Sequence, residues 1–80
     1  MILIEQVKAA RALLGWSQTE LGRRAGLSLP TVKRFETVSK WKASEEAGAR
    51  IIQALEDAGI EFINDEAPGV RRHPAKRWIE

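Results

Sequence analysis

The chain has 80 residues, of which 44% are hydrophobic and 30% are charged, and its formal net charge is +2. A chain of this length forms one small domain, and its lack of cysteine and single histidine exclude disulfides, thiolate chemistry and a Cys-based or multi-histidine metal site within one chain. The longest apolar run, residues 1–4, is far shorter than the roughly 20 residues of a membrane span. Glu5 follows it at once, and neither a basic n-region nor a cleavage site of a signal peptide is present in this stretch. We therefore expect a cytoplasmic protein without membrane contact and without a cofactor.

Two helices are predicted in the first third of the chain. The first is marked by apolar residues that recur every three or four positions, Leu3, Val7, Ala10 and Leu14. Gly15 is a typical left-handed residue at a helix end. The second begins after Ser17, and Glu20 three residues later predicts a capping box in which each side chain bonds the other's backbone N–H. Leu21 and Ala25 are the expected inner residues of this helix, and Gly26 is expected to end it.

A third helix is predicted to follow at once. Ser28 is a favourable N-cap, and Pro30 falls in the first turn, where its missing N–H costs nothing. Val32 and Phe35 give this helix an apolar stripe, and it should end near residues 37–38. We expect residues 39–43 to form a basic loop.

The fourth helix is predicted after Ser44, with Glu45 and Glu46 near the positive end of its dipole. Its expected inner residues are Ala47, Ile51, Ala54, Leu55 and Ala58. After Gly59 the apolar period changes to two, which predicts a strand over residues 60–63, a turn over 65–69 and a returning strand over 70–73. A lone hairpin is marginally stable, so this one should pack on the helices or pair with another chain.

Charge is distributed unevenly along the chain. Residues 23–42 carry six basic residues and one acid, a net of +5, whereas residues 43–66 carry one base and seven acids, a net of −6. Residues 70–77 again contain four bases and no acid. A chain with this pattern presents one positive region to a polyanion, although charge blocks also occur simply as solvated helix faces.

The most informative stretch is QTELGRRAGLSLPTVKRFE, residues 18–36. Gly22 lets two short helices approach each other, and Gly26 supplies the positive φ of a tight turn. Val32 and Phe35 anchor the second helix by its inner face, so its N-terminal end can enter a major groove about 12 Å wide. This pattern resembles the Cro and phage-repressor (XRE) helix-turn-helix family over roughly residues 6–58.

The resemblance implies a phage-repressor-like fold, mostly α, with four to five helices and a short C-terminal β-strand or hairpin. It also implies a partly buried ion pair between Arg11, near the end of the first helix, and Glu36, which closes the recognition helix. Residues 1–59 would form the DNA-binding domain. Residues 60–80 would form a tail that joins two copies in a homodimer, because such proteins usually read palindromic sites as dimers.

Residue roles follow partly from the resemblance and partly from chemistry. By resemblance, Gln18 contacts a phosphate and braces the recognition helix, and the base-reading positions are Leu29, Pro30, Thr31 and Arg34. Arg34 is the best candidate for guanine, because a guanidinium can bridge O6 and N7. Leu29 and Pro30 depart from the usual polar pair and allow only apolar contacts. The full expected DNA-binding set is Gln18, Arg23, Ser28, Leu29, Pro30, Thr31, Lys33, Arg34, Lys40 and Lys42, of which Arg23 and the three lysines suit phosphates.

These features favour a DNA-binding transcriptional regulator, most simply a repressor, with double-stranded DNA as its partner. One alternative is the antitoxin of a toxin–antitoxin pair, whose acidic stretch at residues 56–66 would bind the toxin. Another is a protein-interaction module, such as an anti-activator, that has lost DNA binding, which Leu29 and Pro30 would suit. An enzyme is not expected, since the sequence offers no nucleophile with a base partner and no Gly-rich phosphate loop. No ligand pocket is expected beside so small a core.

Overall fold

A computed structural model describes residues 2–37 and 46–74. The elements are α1 (Ile4–Leu14), α2 (Gln18–Ala25), α3 (Leu29–Thr37), α4 (Glu46–Asp57), β1 (Ile60–Asn64) and β2 (Pro68–Arg72). Four helices and a short antiparallel hairpin confirm the predicted fold class. The predictions for residues 39–43, for the Ser44 cap and for the chain end from residue 75 lie outside the described residues.

The start of α1 differs from the prediction. Leu3 has extended backbone angles, φ −90° and ψ 154°, and is the N-cap, so it does not share the helix face. Its side chain is 39% exposed, and Ile4 takes the buried position instead. The cap is completed by Gln6, whose side-chain Oε1 accepts the Leu3 N–H at 2.8 Å.

The capping box predicted at α2 is half present. Ser17 Oγ accepts the Glu20 backbone N–H at 3.0 Å, as expected. The Glu20 carboxylate, however, accepts hydrogen bonds from Arg23 and Arg24 rather than returning to the cap. Two charged donors compete better for a carboxylate than one neutral backbone N–H does.

The core lies where all four helices meet the hairpin. Its largest fully buried side chains come from every helix and from β1: Leu21, Ile51, Leu55, Ile60, Val7 and Val32. Trp16 is only partly buried and packs against the edge of this cluster. The fold therefore holds α3 by a continuous apolar layer on its inner side.

The hairpin packs on the helices. β1 and β2 pair antiparallel, with Phe62 opposite Val70, and both side chains pack against the core. Ile60 of β1 is fully buried in this packing, whereas Ile63 is partly exposed. The Gln6 amide donates from Nε2 to the backbone oxygens of Ile63, at 3.2 Å, and Gly69, at 2.9 Å. One buried side chain thus joins α1 to both strands.

Candidate nucleic-acid interface

The turn between α2 and α3 depends on two glycines. Gly26 has φ +70°, a backbone conformation that other residues rarely adopt. Next to it, the Leu27 N–H donates to the Gly22 backbone oxygen at 2.8 Å. A Cβ added at Gly22 would lie only 2.8 Å from the Leu27 oxygen and 3.3 Å from Val32 Cγ2. The two helices can therefore meet at this angle only if position 22 has no side chain.

Ser28 starts α3. Its Oγ accepts the Thr31 N–H at 3.3 Å, and its backbone oxygen accepts the Val32 N–H at 3.1 Å. The hydroxyls of Ser28 and Thr31 also share a hydrogen bond of 2.8 Å. Both side chains belong to the expected DNA-binding set, and both are held by the cap itself.

The inner and outer faces of α3 differ sharply. Val32 is fully buried and Phe35 is 5% exposed, as the sequence predicts. On the outer side Pro30, Lys33 and Arg34 are exposed. Leu29 and Thr31 are partly buried at the N-terminal end. The helix therefore presents an apolar first turn followed by two cations.

The last turn of α3 is tied to α1 and α2 through Glu36. Arg11 donates from Nε to Glu36 Oε2 at 2.7 Å and from Nη2 to Oε1 at 2.8 Å. Gln18 Nε2 donates to the same Oε1 at 3.0 Å. A third Arg11 nitrogen, Nη1, donates to the Trp16 backbone oxygen at 3.0 Å. Three side chains from three helices thus fix the orientation of α3.

Glu36 remains charged in this setting. Burial of its side chain, which is 1% exposed, raises the cost of ionisation. The hydrogen bonds from Arg11 and Gln18 outweigh that effect, so the pKa of Glu36 lies below its ordinary value of 4.5. The carboxylate therefore stays ionised and keeps Gln18, an expected phosphate-contacting residue, directed toward α3.

Arg23, an expected phosphate ligand, already has an acidic partner. Its Nη2 lies 2.6 Å from Glu20 Oε2, and Arg24 Nε lies 2.7 Å from the same oxygen. Hydrogen bonds from Arg23 and then Arg24 lower the pKa of Glu20 to about 2. The Arg24 guanidinium also stacks over Trp16, with its carbon 4.6 Å from the ring centroid. At neutral pH, one carboxylate therefore offsets part of the positive charge at the end of α2.

Arg34 differs from the other arginines of the described residues. Each of the others is held by an acid or a backbone oxygen: Arg11, Arg23, Arg24, Arg50, Arg71 and Arg72. Arg34 makes no such contact there, nor does its neighbour Lys33. Lys40 and Lys42 lie outside the described residues. The structure thus leaves two neighbouring cations available on the exposed side of α3.

Sequence reasoning missed the side-chain contacts that join the hairpin to the helices and those that join its two strands to each other. Besides Gln6, Arg72 Nη1 donates to the Leu13 backbone oxygen at 2.9 Å, close to the end of α1. Glu61 accepts hydrogen bonds from Arg71 Nη1, at 3.3 Å, and pairs with His73 Nε2, at 2.9 Å. The position of the polar residue Gln6 directly beside the predicted inner residue Val7 could have indicated such a contact. A buried side-chain amide needs hydrogen-bond partners.

Comparison with known families agrees with this geometry. A family model described as helix-turn-helix matches residues 7–58, more than half of the chain. The chain belongs to this Cro/C1-type XRE family of DNA-binding regulatory domains. No curated protein matches the chain.

Two further observations concern the described residues alone. None of their helices has the length and apolar character that crossing a membrane requires. Within residues 2–37 and 46–74, no three His, Asp or Glu side chains come together in a group that could hold a metal ion.

Proposed function

We propose that this protein is a cytoplasmic, sequence-specific transcriptional repressor that places α3 in the major groove of double-stranded DNA. The observation that carries the proposal is the two-sided character of α3. Its inner face is fixed by Val32, Phe35 and the Glu36 network, while Lys33 and Arg34 stand exposed without an acidic partner. A rigid helix with free cations on its outer side matches the requirements of base reading.

Arg34 carries the base readout in this proposal. A bidentate contact from its guanidinium to guanine O6 and N7 contributes about 1–3 kcal/mol of discrimination. One turn earlier, Leu29, Pro30 and Thr31 offer mainly apolar surface, because the Thr31 hydroxyl is already bonded to Ser28. Such surface suits the methyl group of thymine. The preferred site should therefore contain a guanine with thymine nearby.

Phosphates are bound by the residues around this helix. Lys33 is exposed and has no partner in the described part of the chain, so it is the main candidate there. Gln18 keeps one amide hydrogen free after its bond to Glu36, which suffices for a single phosphate oxygen. Arg23 binds a phosphate only when its guanidinium leaves the Glu20 carboxylate. Lys40 and Lys42 are included among the proposed phosphate ligands because they lie in the basic stretch of residues 23–42.

Homodimerisation through residues 60–80 is the second part of the proposal. In the described residues β1 pairs with β2 on one side only, so its other edge has backbone groups without a strand partner. Ile63, partly exposed on this strand, adds apolar surface. Pairing of this edge with the same edge of a second copy would relate two α3 helices by a two-fold axis.

The antitoxin alternative uses the same edge. Exposed acids surround the hairpin, at Glu56, Asp57, Asp65 and Glu66, and a basic toxin segment could add a strand to β1 there. Co-purification of a small toxic protein encoded beside this chain would favour that function over simple repression.

Selection of bound duplexes from a random pool tests the proposed function. We expect enrichment of a palindrome whose half-sites lie about 10 base pairs apart, since a two-fold dimer spans one helical turn. The matched control is the Lys33→Ala, Arg34→Ala double variant, which keeps the inner face of α3 and should enrich nothing. Failure of the wild-type chain to enrich any sequence would leave the protein-interaction alternative in its place.

A further inference from the structure

Although the sequence predicts no ligand pocket beside so small a core, a cleft of about 460 Å³ opens where the ends of α1, α2 and α4 meet β2. Its volume falls within the range of roughly 300–1,000 Å³ that is typical of small-molecule sites. No residue of α3 lines it. The cleft is therefore separate from the face that the proposed function assigns to DNA.

One part of the cleft lining, called the floor below, is apolar and consists of Leu14, Trp16, Ala54 and Ala58, beside three charged residues. Leu14 and Trp16, from the end of α1 and the segment after it, are partly buried and pack against the core. Ala54 and Ala58, from α4 and the turn after it, complete the floor with small side chains. Small side chains at these two positions suit contact with a flat apolar group.

Two arginines from different elements line the cleft. Arg24 is held through its Nε by Glu20 and through its guanidinium face by Trp16. Arg72 is held through Nη1 by the Leu13 oxygen. Both Nη groups of Arg24, together with Nε and Nη2 of Arg72, make no hydrogen bond within the described residues. The guanidinium groups are thus fixed in place yet retain free donors.

The remaining polar group is Asp57, which is the sole acid among the lining residues. Its Oδ1 accepts a hydrogen bond from Gln53 Nε2 at 2.8 Å. The lining residues carry two cations and one anion, while Glu20, which pairs with Arg24, lies outside the lining. An anionic group is consequently favoured, and guanidinium groups recognise carboxylates with paired, charge-assisted hydrogen bonds.

We propose that this cleft binds a small carboxylate with a flat apolar body. The carboxylate accepts hydrogen bonds from Arg24 and Arg72, and the apolar body lies on Leu14, Ala54 and Ala58. Such a ligand joins α2, in the helix-turn-helix, to β2, in the hairpin. Binding therefore stabilises the packing of the hairpin on the helices.

Titration of the full chain, followed by amide and indole N–H signals in NMR spectra, tests this inference. The probes are benzoate and indole-3-carboxylate, with benzamide and indole-3-carboxamide as uncharged analogues at the same ionic strength. We expect saturable shifts at Trp16, Ala54 and Ala58 with the carboxylates, at concentrations below about 10 mM for ligands of this size. Binding of the amides should be about tenfold weaker, since charge-assisted hydrogen bonds are lost.

Four variants localise the effect. Arg24→Gln and Arg72→Gln should each weaken carboxylate binding about tenfold, whereas the matched control Arg50→Gln, which pairs with Glu46 and does not line the cleft, should leave it unchanged. Ala58→Leu keeps both arginines and places a larger side chain in the floor of the cleft, so it should weaken carboxylate binding. This variant tests the inference if Arg72→Gln disturbs folding. Absence of saturable shifts, equal binding of acids and amides, or unchanged binding in Ala58→Leu overturns the inference and leaves the proposed DNA-binding function unaffected.

Discussion

Removing Arg11 is expected to destabilise the fold far more than removing an exposed arginine. The Glu36 side chain is 1% exposed and Arg11 is 20% exposed, so Arg11→Ala leaves a buried carboxylate with Gln18 as its main donor. Breaking a buried pair in this way costs about 3–5 kcal/mol. We expect about 3 kcal/mol, because the carboxylate keeps one hydrogen bond. A domain of this size has roughly 4–12 kcal/mol in total.

Urea denaturation followed by circular dichroism measures the effect. With a slope of about 1 kcal/mol per M for a small protein, the urea midpoint should fall by about 3 M. Arg50→Ala is the matched control, since the Arg50–Glu46 pair is largely exposed and surface pairs contribute about 0–1 kcal/mol. If Arg11→Ala and Arg50→Ala shift the midpoint equally, the buried network does not fix the orientation of α3.

Three other predictions concern single positions. The lowered pKa of Glu36 stabilises the folded state above pH 4.5, its ordinary value, and this stabilisation is lost as the pH falls through the lower pKa of the folded protein. Glu36→Gln should therefore flatten the fall of the free energy of unfolding below about pH 4.5 in acid titrations. An equal slope in both proteins would contradict this. Gly22→Ala should cost about 1–3 kcal/mol in urea denaturation because its Cβ meets the Leu27 backbone, and a neutral outcome would mean that the turn relaxes. Glu20→Gln releases Arg23, an expected phosphate ligand, so the slope of log affinity for DNA against log salt should steepen by up to about 0.9; an unchanged slope would show that Arg23 does not reach a phosphate.

Much of the fold could be predicted from the sequence because its signals are local. The turn at Gly26 and the inner positions Val32 and Phe35 follow from steric requirements within a few residues, and the structure has them as predicted. The C-terminal hairpin was equally visible from its period of two.

Contacts between distant parts of the chain could not be predicted in the same way. Gln6 donates a hydrogen bond to Ile63, which is 57 positions away in the sequence, and no residue near Gln6 indicates that partner. The sequence also did not reveal that the Glu20 carboxylate accepts hydrogen bonds from Arg23 and Arg24. That choice depends on competition between these charged donors and the backbone N–H of the helix cap. The cleft arises from the meeting of three helix ends with β2, which no single segment encodes.

The placement of α3 against base edges is the central claim, and one binding measurement tests it most directly. The measurement is the affinity of wild type, Arg34→Ala and Arg50→Ala for the selected duplex and for a scrambled duplex, by fluorescence anisotropy at fixed salt. Loss of a bidentate guanine contact worth about 1–3 kcal/mol predicts that Arg34→Ala weakens specific binding about 5- to 150-fold. Binding of the scrambled duplex should change much less, and Arg50→Ala should match wild type. Equal loss on both duplexes, or no loss on either, would contradict base reading by this helix.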